Sequence, residues 1–184
     1  MLRLFIGIEP PQNIAEQLYS LHGGVPLARW VPQEKLHLNL AFLGNIDEDK
    51  ARDIHDQLQQ VQFPAFDLTF KGLGYFADGD RPHHLWCDVQ DKQPLQALHT
   101  KISKIVQDCR VNNDRFRQFT PHLTLASLHG TTLTEVMSFI AANNLFKTDT
   151  FQVTHFSLIS SHARDDSDAG KYYRIEAQYP LLLP

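Results

Sequence analysis

Cysteine is scarce: Cys87 and Cys109 are the two in 184 residues. They stand 22 apart with no second pair, which excludes a disulfide-stapled scaffold and a zinc ribbon and leaves two reduced, buried thiols. A long apolar run is also missing. No stretch approaches the roughly 20 apolar residues of a membrane span, and the apolar opening Met1 to Ile8 is cut by Glu9 and Pro10, too early for a secretory signal. Basic charge is not in excess, with 17 Lys and Arg against 21 Asp and Glu and a net charge of −4. Since these cations are scattered, the chain lacks the basic face that wraps long nucleic acid, and any phosphate it handles is one or two groups in a pocket. There is no Gly-x-Ser-x-Gly elbow, no phosphate-cradling glycine loop and no His-Glu-x-x-His helix. These absences suit a reduced, cytoplasmic enzyme or binding protein.

What the chain does have is a repeated phrase. His37-Leu38-Asn39-Leu40-Ala41-Phe42-Leu43-Gly44 is followed 85 residues later by His122-Leu123-Thr124-Leu125-Ala126-Ser127-Leu128. The period of two predicts a half-buried strand, with His, then Asn or Thr, then Ala on one face. Around the phrases, Leu2 to Glu9 predicts a strand and Pro11 to His22 a helix. Asp47 would cap a helix reaching Val61. Strands are expected over Ala65 to Leu73 and His84 to Val89, and Pro94 opens a third helix. A fourth helix starts at Thr132 or Thr134, and the last strands cover Phe151 to Ser161 and Lys171 to Tyr179, joined by the charged loop Ala163 to Gly170. Arg115 to Phe119 could join the sheet. Each half thus carries a His strand, a helix and two more strands. The pattern predicts a duplicated α+β unit, mainly antiparallel, whose pseudo-twofold pairing brings the His strands together.

Two histidines can hold one neutral and one protonated ring near neutral pH. One takes a proton from a nucleophile while the other gives one to a leaving group. The reaction that wants both without a covalent step is in-line displacement at phosphorus, with Asn39 and Thr124 donating to the non-bridging oxygens. A metal site fits poorly, because each phrase offers one good ligand and no carboxylate follows on the same face. The other eight of the ten histidines, His83, His84 and His99 among them, read as structural.

The two phrases, with Arg3-Leu4-Phe5, Trp30 to Leu36 and Phe119-Thr120-Pro121 as context, resemble the two-histidine phosphoesterase superfamily, and within it the bacterial RNA 2′,3′-cyclic phosphodiesterases, also called 2′-5′ RNA ligases. The likeness runs over the whole chain, 1–184. It implies a single domain of two α+β lobes, helices on their outer faces and an active cleft between them. It implies opening of RNA 2′,3′-cyclic phosphate ends, or of small cyclic-phosphate nucleotides, to a 2′-phosphate, by a monomer without metal or cofactor. Residue by residue, His37 and His122 become the catalytic pair, with His122 activating water and His37 protonating the leaving 3′-oxygen. Asn39 and Thr124 hold phosphate. Two positions depart from the family pattern: Asn39 stands where Thr or Ser is usual, and Ser127 where close relatives tend to carry Arg. Arg115, Arg117, Lys171 and Arg174 are candidates for the missing cation, and Phe5, Trp30 and Tyr172 for stacking on a base. The departures also motivate a second reading, a nucleotide-binding module without turnover.

Overall fold

The computed structural model describes residues 2–111, 119–162 and 172–183. Strand β1 (Leu2–Ile8) ends where Pro10 and Pro11 remove the amide donors a ladder needs, and helix α1 (Gln12–Tyr19) follows at once. After β2 (Ala28–Trp30) and a 3-10 turn (Gln33–Lys35), the first His phrase forms β3 (Leu38–Ile46). Asp47 caps α2 (Glu48–Leu58), accepting the Lys50 N–H at 2.8 Å. β4 (Phe66–Leu68), β5 (Phe70–Asp78) and β6 (Arg81–Val89) come next, and Pro94 sits in the first turn of α3 (Gln93–Asp108). The second phrase forms β7 (Leu123–Leu128). Thr132, not Thr134, starts α4 (Leu133–Ala142), through a capping box with Glu135. The chain closes with β8 (Phe151–Val153), β9 (His155–His162) and β10 (Tyr172–Pro180).

Two expected strands are each split. Ala65 to Leu73 divides into β4 and β5, and Phe151 to Ser161 into β8 and β9, with β4 and β8 forming a separate two-stranded sheet. Thr69, at the first break, shares a 2.7 Å hydroxyl hydrogen bond with Thr150, just ahead of β8. The short β2 was not expected. Of the stretch from Arg115 to Phe119, only Phe119 is described, and it is not in a strand.

The main sheet runs β10-β9-β1-β3-β7-β6-β5, with β2 also on β7, and every pairing is antiparallel. Its two halves meet between β3 and β7 at one bridge, Leu38 to Leu123. The sequence halves do not map onto the sheet halves. Hairpin β5–β6 pairs with the second His strand, and hairpin β9–β10 extends the strand beside the first. Helices follow suit. α2 and α3 pack together beside β3, while α4 covers β5 and β6. α1 joins that second half through hydrogen bonds of 2.8 Å in both directions between Gln17 and Asp149.

One buried cluster lies between helices and sheet, from Leu4, Ile6, Leu38 and Leu40 through Leu98 and Ile102 to Leu123, Leu125 and Val136. Burying these apolar rows fixes which way the alternate residues point. Both His strands break their alternation at the same place. β1 skips Leu40, pairing Gly7 with Asn39 and Ile6 with Ala41. β6 skips Leu125, pairing Trp86 with Thr124 and Leu85 with Ala126. At this place a one-residue bulge in each strand reverses the parity beyond it, and β3 carries a second one at Leu43, between the Leu4–Gly44 and Phe5–Phe42 pairs. Ala41 and Ala126 therefore turn into the core at 5% and 0% exposure, and Phe42 and Ser127 take the faces that simple alternation gives to the alanines.

Candidate active site

The Leu38–Leu123 bridge positions the site. Both leucines are fully buried on the helix side. Their neighbours consequently face the other way, with His37 across from Thr124 and Asn39 across from His122. The four polar residues of the two phrases thus form a quadrilateral over the seam, each imidazole opposite the hydrogen-bonding side chain of the other phrase.

The rings are held alike. His37 Nδ1 lies 2.8 Å from the Lys35 carbonyl and His122 Nδ1 2.6 Å from the Thr120 carbonyl, both two residues upstream. A carbonyl only accepts, so Nδ1–H donates in each case, and Nε2 is left as the working nitrogen. Each ring is walled by aromatics. Phe5 stands 4.7 Å from His37 with Tyr173 edge-on at 5.3 Å; Phe76 is edge-on to His122 at 4.9 Å with Trp86 at 5.8 Å. Two glycines make this packing possible. A Cβ on Gly7 would stand 2.9 Å from the Leu38 oxygen and 3.7 Å from His37 Cδ2, and one on Gly74 would be 2.4 Å from the Trp86 ring.

Burial lowers the pKa of both catalytic candidates below the ordinary histidine value. For His37, desolvation is the main cause, countered by its hydrogen bond to Lys35 and reinforced by the nearby His122. For His122, desolvation also leads, countered by the Thr120 hydrogen bond and by the charge of Asp88. At neutral pH both rings are therefore mostly neutral, rather than one charged and one neutral.

Other expected residues fall elsewhere. Phe5 touches His37, but at 4% exposure it is wall rather than platform. Trp30 pairs with the inward-facing Ala126 and packs on Phe139 of α4 at 5.7 Å, behind the sheet. Tyr172 stacks on His162 at 5.0 Å, and the aromatic that reaches His37 is the next residue, Tyr173. A one-residue step along a strand exchanges faces, and the sequence did not show which tyrosine faced the pair. Arg174 is opposite the buried Ser160 and pairs with Glu176 at 3.8 Å, on the face away from His37. Arg115, Arg117 and Lys171 lie outside the described residues.

Sequence reasoning missed Arg3, Phe76, His84, Trp86 and Tyr173. Arg3 shares the face of Phe5, and its guanidinium sits 5.3 Å above the Phe42 ring. His84 lies across from Ser127 on the face of Thr124 and Trp86. The alternation His84-Leu85-Trp86, apolar Leu85 between two polar-tipped rings, was the available signal. Among the described residues no cluster of three or more His, Cys, Asp or Glu has the geometry to hold a metal ion.

Paired His strands at the seam of a split antiparallel sheet, with one imidazole from each side, define a two-histidine phosphoesterase. The chain belongs to the 2′-5′ RNA ligase superfamily, whose family model matches residues 10–165. It is 30% identical over 130 residues to the RNA 2′,3′-cyclic phosphodiesterase of Thermotoga maritima, covering 67% of this chain and 68% of that protein. With the enzyme of the same name from Archaeoglobus fulgidus it shares 28% over 127 residues, covering 67% and 71%. Among solved structures, LigT of Escherichia coli complexed with 3′-AMP superposes with a TM-score of 0.77 at 22% identity, over 98% of each chain. TT0787 of Thermus thermophilus gives 0.78 at 19% identity, over 97% of each.

Proposed function

We propose that this chain hydrolyses 2′,3′-cyclic phosphates at RNA ends, or on small nucleotides, to 2′-phosphates, using His122 and His37 without metal or cofactor. The observation that carries this is the seam quadrilateral: two imidazoles fixed through Nδ1 by equivalent carbonyls, each across the bridge from a hydrogen-bond donor. In-line displacement needs a base on one side of phosphorus and an acid on the other. His122 Nε2 takes a proton from water as its oxygen bonds to phosphorus, and His37 Nε2–H protonates the 3′-oxygen as the P–O3′ bond breaks. Asp88 strengthens His122 as a proton acceptor, and a positive His122 speeds proton loss from His37. Asn39 and Thr124 donate to the non-bridging oxygens, where negative charge accumulates. Replacing water with a 5′-hydroxyl turns the same steps into 2′-5′ ligation. The relatives' enzyme name and the 3′-AMP complex of the E. coli neighbour support a nucleotide phosphate as ligand. We read the chain as one two-lobed domain acting as a cytoplasmic monomer; no helix among the described residues is long and apolar enough to cross a membrane.

The test is a 2′,3′-cyclic-phosphate-ended oligoribonucleotide incubated with the protein in EDTA, beside His37→Ala and His122→Ala. The expected product is a 2′-phosphate, unaffected by chelator and reduced on the order of 10³-fold or more in each variant. Tight binding without turnover by folded wild type would instead establish the binding-module reading.

A further inference from the structure

The two bulges are not sealed in the same way. A bulge takes a backbone carbonyl out of the ladder, and a buried carbonyl needs a donor. In the second His strand the Leu125 oxygen accepts from the Val31 backbone N–H at 2.8 Å. In the first, the Leu40 oxygen accepts from a side chain, His99 Nδ1 on α3, at 2.7 Å. Ser103, one turn further along α3, places its hydroxyl 3.2 Å from His99 Nε2. The Leu40 carbonyl only accepts, so the proton sits on Nδ1, and the Ser103 hydroxyl, also 3.4 Å from Nδ1, can donate to Nε2.

The other feature of His99 is its flat face. Its ring stacks on Phe119, with centroids 3.9 Å apart and planes 8° from parallel. Phe119 immediately precedes Thr120, whose carbonyl holds His122 Nδ1. One imidazole therefore touches the bulge three residues after His37 and the segment three residues before His122. The halves of the sheet share a single ladder bridge, so a second tie across the seam bears directly on the spacing of the two catalytic rings.

We propose that His99 is a positioning residue that holds the two histidine strands in their working relation, through its N–H to Leu40 and its stack on Phe119. It touches no reacting atom. Errors of about 1 Å in a reacting pair cost on the order of 10²-fold, and they appear in the transition state more than in ground-state binding.

The experiment separates the two contacts. His99→Phe keeps a flat ring on Phe119 and loses the donor; His99→Gln keeps a donor and loses the stack. Both are expected to lower kcat about 10- to 100-fold on a 2′,3′-cyclic nucleotide while KM moves less than about threefold. Val106→Ala, buried in the last turn of the same helix, lowers the melting temperature but leaves kcat of the folded protein at the wild-type level. The kinetic arm rests on the cyclic-phosphodiesterase reading. The second arm does not: the imidazole resonances of His37 and His122 are compared by NMR in the unliganded proteins. His99→Phe is expected to shift the His37 signals through Leu40, and His99→Gln those of His122 through Phe119. Should His99→Phe fail to fold, His99→Gln carries the test by the same two readouts. Wild type inactive on cyclic phosphate would overturn the function and leave the NMR arm to decide this proposal. Folded His99 variants with wild-type kcat and unmoved ring resonances would overturn it outright.

Discussion

At the scale of single residues, the proposed chemistry rests on donors facing the seam. Asn39 and Thr124 occupy equivalent positions with different side chains, an amide and a hydroxyl. An amide NH₂ donates as a hydroxyl does, but it is longer and brings a carbonyl oxygen that needs its own partner. Thr124 is held between strands, across from Trp86 on one side and on the His37 row on the other. Loss of a donor that works on developing negative charge costs on the order of 10²-fold in kcat. Thr124→Ala and Asn39→Ala should each fall by about that factor on a cyclic nucleotide, with KM changing far less. Asn39→Thr should retain at least wild-type kcat. If Asn39→Ala turned over as fast as wild type, Asn39 would be no phosphate ligand, and Thr124 and the imidazoles would carry the oxygens alone.

Among the elements, the paired bulges decide what the site contains. The His strands were legible because burial of Leu38, Leu40, Leu123 and Leu125 enforces a period of two. The bulges were not, because an extra residue shows only against a partner strand, and the alternation Leu-Ala-Phe or Leu-Ala-Ser reads through it. Simple alternation therefore gives the alanines the site face and hides the outward turn of Phe42 and Ser127. Trp30 falls behind the sheet for a related reason: nothing local reveals that it pairs with an inward-facing alanine. The glycines that let strands and rings approach closely are a further consequence of this scale. Gly74→Ala puts a methyl 2.4 Å from the Trp86 ring, so the indole must leave its place beside His122. Overpacking of this kind costs about 1–3 kcal/mol, measurable as a lower urea midpoint. Because Trp86 walls His122, kcat should fall as well, by about 10-fold or more. Gly7→Ala should affect kcat through His37, since its methyl meets the Leu38 carbonyl at 2.9 Å and backbone cannot step aside as a flexible side chain can. Wild-type kcat in both alanine variants would mean that the strands yield without moving the imidazoles.

For the whole molecule, duplication was visible in the sequence but exchange of hairpins was not, because which strand receives β5–β6 or β9–β10 is settled by long-range pairing. The exchange makes each half of the sheet depend on both halves of the chain, and it buries the histidines that meet at the seam. His22, His37, His84 and His122 all have pKa values lowered by desolvation first, with His84 further depressed by His83, His122 and His129. In the unfolded chain these rings return to the ordinary value of about 6.5 and bind protons more readily than in the fold. Their contribution to stability is thus complete above about pH 6.5 and is lost as pH falls through that value toward the lowered folded ones. The urea midpoint should drop between about pH 7.5 and pH 5.5, and His84→Gln should flatten the drop by removing one of the four. Catalysis pulls the other way. The proposed acid–base pair needs one proton, and in the free protein that singly protonated form is populated below the ordinary histidine value. kcat/KM on a cyclic nucleotide should therefore fall on the alkaline side from below about pH 6.5, approaching tenfold per unit. An alkaline limb placed well above that value would mean that the rings are not desolvated in solution. In that case the drop in the urea midpoint should also be shallower, because burial of His37 and His122 contributes to both effects.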